Sequence, residues 1–242
     1  MRTLFSPRLP HFILLAVAAA AFPLQTSHSE DPAVKKENKY TAEVDKLAAE
    51  PAPAAGGILL IGSSIFRKWT NFAEVLAPLP VTNRAFGGSQ TKDQLFFFDR
   101  LVPSSQAALI VWYCGSNDVK GNKPPAEIVA RTKEWIALTR KTLPATRILL
   151  VSVVNAPQKC RDGQSAAVKE VNLGLSHLAE TEKGVSYINV NPALEASDGA
   201  ALAACYVEDQ LHLTPEGYER MASVLKPAIE RDFAASAQNE VR

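Results

Sequence analysis

Gly57-Ile58-Leu59-Leu60-Ile61-Gly62-Ser63-Ser64 joins a short apolar run to a turn of small polar residues. The run shows no alternation of apolar and polar positions, which is the pattern of a strand buried on both faces. Four further runs follow, at 81–86, 107–113, 147–154 and 185–190. Helical patterns separate them. Ile128, Trp135, Ile136 and Leu143 share one helical face, as do Val168, Val171, Leu175 and Leu178. Tyr218, Met221, Ala222, Leu225 and Ile229 repeat the pattern near the C-terminus. There Thr214 is placed to cap the helix and Pro215 to open it, while Pro227 is expected to kink or end it. Strands alternating with helices predict an α/β fold with a five-stranded parallel sheet covered on both faces. Right-handed crossovers bring the C-terminal ends of the strands to one edge, where ligands bind. Gly62-Ser63-Ser64, Gly87-Gly88, the turn at 114–117 and that at 155–157 all follow strand ends.

The segment before this pattern reads differently. Arg2 and Arg8 precede an apolar run from Phe12 to Leu24 of roughly thirteen residues, short of the ~20 that span a bilayer. Polar residues follow, so 1–29 is expected to be a signal peptide and the mature chain to be exported, to a periplasmic or extracellular location. The alternative is an uncleaved anchor; after processing no stable membrane span is expected. Residues 30–56 are assigned to a charged extension and linker, with a short helix around 41–49 and Pro51-Ala52-Pro53 as the linker. The domain proper is expected at 57–235.

Charge narrows the partners. Twenty-six Lys and Arg against twenty-five Asp and Glu, net charge +1, leave no basic excess for nucleic acid. Small molecules or neutral polymers fit better. The three cysteines form no CxxC pair, and the histidines lack metal-ligand spacing, so no metal or cofactor is implied. Export permits a disulfide, and Cys160 and Cys205 are the expected pair. Each lies in a loop expected at the same sheet edge, with Cys114 left as a buried thiol.

Asp209-Gln210-Leu211-His212 places a carboxylate and an imidazole three residues apart. A nucleophilic serine needs an imidazole to take its proton, and the imidazole needs a carboxylate to hold its tautomer. Ser64 supplies such a hydroxyl after the first strand, with Ser63 as its neighbour and competitor. Taken alone, Ser64 reads as an N-cap serine, Gly88 as a flexible turn and Asn117 as an Asx turn. His177, the other histidine well beyond the N-terminal segment, sits in a helical pattern and reads as a surface or core residue.

Together the segments resemble the SGNH hydrolase superfamily, the GDSL-type esterases and lipases. The resemblance rests on Ile61-Gly62-Ser63-Ser64-Ile65, Gly87-Gly88-Ser89, Gly115-Ser116-Asn117-Asp118 and Asp209-x-x-His212, in that order, and covers about residues 58–229. It implies a flavodoxin-like three-layer α/β/α sandwich. It also implies Ser64 as nucleophile, His212 as general base, Asp209 as third triad member, and an oxyanion hole from the Ser64 and Gly88 N–H groups and the Asn117 side chain. The family's usual Gly-Asp-Ser is Gly62-Ser63-Ser64 here, so the hydrogen bonds holding that turn are expected to differ. The function so implied is an exported serine esterase acting through an acyl-enzyme on a small-molecule or glycan ester, with short acyl groups such as acetyl favoured. The alternatives are an acyltransferase using the same site and a non-catalytic glycan-binding module on this fold.

Overall fold

The computed structural model describes residues 38–51 and 54–237. The expected signal segment and most of the linker lie outside them. In chain order the elements are α1 (Thr41–Ala49), β1 (Ile58–Gly62), α2 (Ser64–Arg67), α3 (Phe72–Val75), β2 (Val81–Asn83), α4 (Thr91–Phe96), α5 (Phe98–Leu101) and β3 (Leu109–Tyr113). They continue as α6 (Ser116–Lys120), α7 (Pro125–Thr142), β4 (Arg147–Val151), α8 (Pro157–Arg161), α9 (Ser165–Thr181), β5 (Val185–Ile188) and α10 (Pro215–Ala237). The five strands are all parallel, in the order β2-β1-β3-β4-β5. This is the flavodoxin-like order, with the switch point between β1 and β3.

Successive residues of the central strands feed opposite cores, as the pleat requires. Leu59, Ile61, Ile110, Trp112, Ile148 and Leu150 join one core with Ile128 and Trp135 of α7 and Val171 and Leu175 of α9. Ile58, Leu60, Leu109, Val111, Leu149 and Val151 join the other with Phe66 of α2 and Met221, Leu225 and Ile229 of α10. Both faces being covered explains the unbroken apolar runs.

The runs overstate strand length. β2 stops at Asn83, whose side chain donates to Phe66 O at 2.7 Å and accepts from Ala85 N at 3.0 Å, turning the chain. β4 stops at Val151, although Val153 and Val154 are buried. Their N–H groups go to side chains, Asn172 at 2.8 Å and the Tyr113 hydroxyl at 3.4 Å, not to the backbone of a neighbouring strand. Burial and strand pairing are separate conditions, and the apolar pattern reports only the first.

Pro227 neither ends nor interrupts the last helix, which runs through it to Ala237. The proline lies on the exposed face. Water can reach the carbonyl it leaves without a donor there, while Leu225, Ala228 and Ile229 keep the buried face packed. Thr214 does cap the helix: its hydroxyl accepts from Gly217 N at 3.1 Å. The short helix at 41–49 forms as expected. It is not a free extension, because Tyr40, Val44 and Leu47 are buried in the core that α7 and α9 cover.

Candidate active site

Ser64 opens α2, directly after β1. The turn before it needs glycine: Gly62 has φ +138°, and a Cβ there would lie 1.9 Å from the Tyr113 carbonyl oxygen. The turn is fixed by Ser63 N donating to Tyr113 O at 2.9 Å, and by Phe86 N (3.1 Å) and Gln94 Nε2 (2.8 Å) donating to Gly62 O. Backbone and Gln94 therefore hold the turn where Ser63 replaces the aspartate. The Ser63 hydroxyl is buried and makes no hydrogen bond among the described residues.

His212 reaches Ser64 from the opposite end of the sequence. Its Nε2 lies 2.9 Å from Ser64 Oγ, and its Nδ1 lies 2.5 Å from Asp209 Oδ2. Asp209 Oδ1 accepts from the N–H groups of Leu211 and His212, each at 2.9 Å. This closes an Asx-type turn in which Gln210 is left-handed, φ 56°. Burial would raise the Asp209 carboxyl. The His212 N–H, the His212 ring and the Leu211 N–H outweigh it and bring the pKa from 3.8 down to about 2. Below the turn, Thr214 N donates to Cys205 O at 2.9 Å. The Tyr218 hydroxyl donates to Ile65 O at 2.8 Å, and its ring stacks on Trp69. The start of α10 is thus tied to α2, and with it His212 to Ser64.

The remaining expected residues gather at the same edge. Asn117, in α6 just past β3, donates through Nδ2 to Ser89 O at 3.0 Å. One of its two amide hydrogens is left for another acceptor. Gly88 is left-handed, φ +74°, and neither its N–H nor that of Ser64 has a hydrogen-bond partner among the described residues. The structure therefore brings a hydroxyl, an imidazole and a carboxylate into series, with N–H donors at the starts of α2 and α6 and in the Gly88 loop. Such a set can activate a hydroxyl and stabilise an oxyanion. His177 is remote from this, exposed on α9 and 3.4 Å from Glu180.

The expected Cys160–Cys205 bridge does not form; all three cysteines are free thiols. Cys205 points into the core beneath α10, whereas Cys160 sits exposed, accepting from Ser165 Oγ at 3.1 Å. The two loops do meet, through hydrogen bonds. Gln158 N donates to Gln210 O, and Arg161 Nη1 donates to Gln210 Oε1, both at 2.9 Å.

Several supporting residues have no role among those the resemblance implies. Asp118 is fully buried and accepts from the Thr91 N–H at 3.0 Å and the Thr91 hydroxyl at 2.7 Å, joining α6 to α4. Lys159 of α8 is also fully buried. Its Nζ donates to Ser116 O at 2.9 Å, next to Asn117, and Gln164 Nε2 donates to Val119 O at 3.1 Å. Burial, with Lys120 adding repulsion and Asp162 opposing, lowers the Lys159 pKa from 10.5 to about 8. The folded state therefore binds fewer protons than the unfolded chain between about pH 8 and 10.4, and this group adds stability as pH rises through that window. Relative to Lys159→Met, the wild type should gain about 3 kcal/mol from pH 7.5 to 10.5 in urea unfolding. A difference independent of pH would show that Lys159 is solvated.

Among the described residues no group of three or more His, Cys, Asp or Glu could hold a metal ion, and no helix is long and apolar enough to cross a membrane. Solved structures share the fold. A Streptococcus pneumonia protein described as a platelet activating factor matches at TM-score 0.69 and 22% identity, over 78% of this chain and 90% of that one. A GDSL-like lipase from Bacteroides thetaiotaomicron matches at TM-score 0.66 and 22% identity, over 79% and 96%. No curated protein matches the sequence. Residues 54–220, which hold every site residue just described, match a family model, and the chain belongs to the GDSL-like lipase/acylhydrolase family.

Proposed function

We propose that this protein is an exported serine esterase that cleaves short-chain carboxylic esters. The observation that carries the reading is the hydrogen-bonded series Ser64–His212–Asp209, at 2.9 and 2.5 Å. Ser64 Oγ attacks the ester carbonyl carbon as its proton passes to His212 Nε2. The oxyanion accepts from the N–H groups of Ser64 and Gly88 and from the Asn117 amide. The C–O bond to the alcohol breaks, and His212 returns the proton to the departing oxygen. Water, deprotonated by the same imidazole, then releases the acid and restores Ser64. The family supports ester hydrolysis in general. The preference for acetyl-sized groups rests on the absence of a large apolar insertion in the sequence.

A fluorophosphonate probe should label one site, and peptide mapping should place it on Ser64. The same preparation should turn over p-nitrophenyl acetate faster than p-nitrophenyl decanoate, and adding sugar acceptors should not divert the acetyl group from water. An unlabelled, inactive protein would overturn the enzyme reading in favour of a binding module. Acetyl transfer to sugar would replace hydrolase by acyltransferase.

A further inference from the structure

The Gly88 loop is soft by composition. Gly87 and Gly88 carry no side chains, and a Cβ on Gly87 would meet nothing within 4 Å. Such a pair gains the most conformational freedom when unrestrained. A donor aimed at an oxyanion is useful only if it is held before the charge develops. Polar contacts hold the segment just after it. Asn117 takes Ser89 O, Ser89 Oγ donates to Phe86 O at 3.0 Å, and Gln94 Nε2 donates to Ser89 Oγ at 2.8 Å. The Gly88 carbonyl itself is taken from outside this network, by the Tyr40 hydroxyl at 2.6 Å.

Tyr40 lies before the residues that the family model matches, at the start of α1. It is 8% exposed, and its ring packs edge-on against Phe86 with 5.3 Å between centroids. The helix behind it is anchored rather than laid on the surface. Val44 and Leu47 are buried, Asp45 pairs with Arg100 at the end of α5, and Glu43 pairs with Arg67 at 3.0 Å. Arg67 closes α2, the helix that Ser64 opens. One N-terminal element thus touches both the helix bearing the hydroxyl and the loop bearing the Gly88 donor.

We propose that α1 belongs to the catalytic apparatus and that Tyr40 is a positioning residue, whose hydroxyl fixes the Gly88–Ser89 peptide so that the Gly88 N–H points at the ester oxygen. This rests on the reading of Ser64 as nucleophile and Gly88 as oxyanion donor. Tyr40 touches no reacting atom; it acts through Gly88. Without the hydroxyl the left-handed turn at Gly88 has neighbouring conformations open to it, and the donor is aligned for only part of the time.

The test is Tyr40→Phe, which removes one oxygen and keeps the ring against Phe86. It is compared with Val44→Ala, which loosens α1 and keeps the hydroxyl. Each is assayed with p-nitrophenyl acetate and with the matching thionoester, whose sulfur accepts poorly from oxyanion-hole donors. Tyr40→Phe should lower kcat for the oxygen ester about tenfold, less than the roughly 10²–10³-fold cost of deleting a donor outright. KM should stay within twofold, and the preference for oxygen over sulfur should shrink. Val44→Ala should lower Tm further than Tyr40→Phe yet keep the wild-type oxygen/sulfur ratio. If Tyr40→Phe keeps the wild-type kcat and ratio, or if Val44→Ala changes the ratio as much, the brace is overturned. Ser64→Ala, run alongside, separates the two failures. An inactive Ser64→Ala with an unaltered Tyr40→Phe removes the brace alone, and an active Ser64→Ala removes the site reading beneath it.

Discussion

Ser64→Ala is expected to reduce p-nitrophenyl acetate hydrolysis by about 10⁴–10⁶-fold while leaving the thermal midpoint close to wild type. The hydroxyl has one polar neighbour in the site, His212 Nε2, and it takes no part in holding the turn. The turn is held by Ser63 N, Phe86 N and Gln94, none of which the substitution touches. The adjacent serine supplies the control. Ser63 Oγ is buried with no hydrogen-bond partner among the described residues, so Ser63→Ala removes an unsatisfied polar atom and replaces it with a well-tolerated methyl. That variant should keep its rate within a few-fold and lose no stability. Activity surviving in Ser64→Ala but not in Ser63→Ala would transfer the nucleophile role to Ser63.

The fold was legible because every central strand is buried on both faces. Ile58 to Ile61 and Ala107 to Tyr113 therefore read as strands without any partner being known, the second starting two residues before β3 does. Strand ends were not legible, because Asn83, Asn172 and Tyr113 capture backbone groups that the hydrophobic pattern assigns to pairing. Ser64, Gly88 and Asn117 lie in short blocks after strand ends, which the parallel topology brings to one edge, while Asp209 and His212 lie just before α10. What holds them there left little trace. Tyr40, Lys159 and Gln94 each make one decisive contact with a backbone carbonyl. A carbonyl is present at every position, so no residue type or spacing marks its partner. The disulfide expectation failed on the same ground. Proximity of the two loops was inferred correctly, but the direction of Cys205 into the core depends on side-chain packing that spacing does not encode.

Asp209→Asn tests the orientation of the imidazole, and its effect should approach that of losing the nucleophile. In the present arrangement Asp209 Oδ1 accepts two backbone N–H groups, which requires an oxygen. An asparagine would keep its own oxygen there and present its NH₂ to His212 Nδ1 in place of Oδ2. Nδ1 must then be the unprotonated nitrogen, Nε2 carries the hydrogen, and Nε2 cannot accept the Ser64 proton. The turn survives while the tautomer inverts, so kcat should fall about 10⁴-fold with the fold intact. Acid titration provides a second reading of the same contact. The Asp209 carboxyl lies below its ordinary value when folded, at about 2, so the hydrogen bonds to its charged form add stability above about pH 3.9. That contribution is lost as pH falls from about 3.9 towards 2. The urea midpoint of wild type relative to Asp209→Asn should therefore decline as pH falls below about pH 4. The decline should be modest, because the side chain is 47% exposed and screened by solvent. Near-wild-type turnover in Asp209→Asn would mean that another group orients His212, and the assignment of Asp209 to the triad would be wrong.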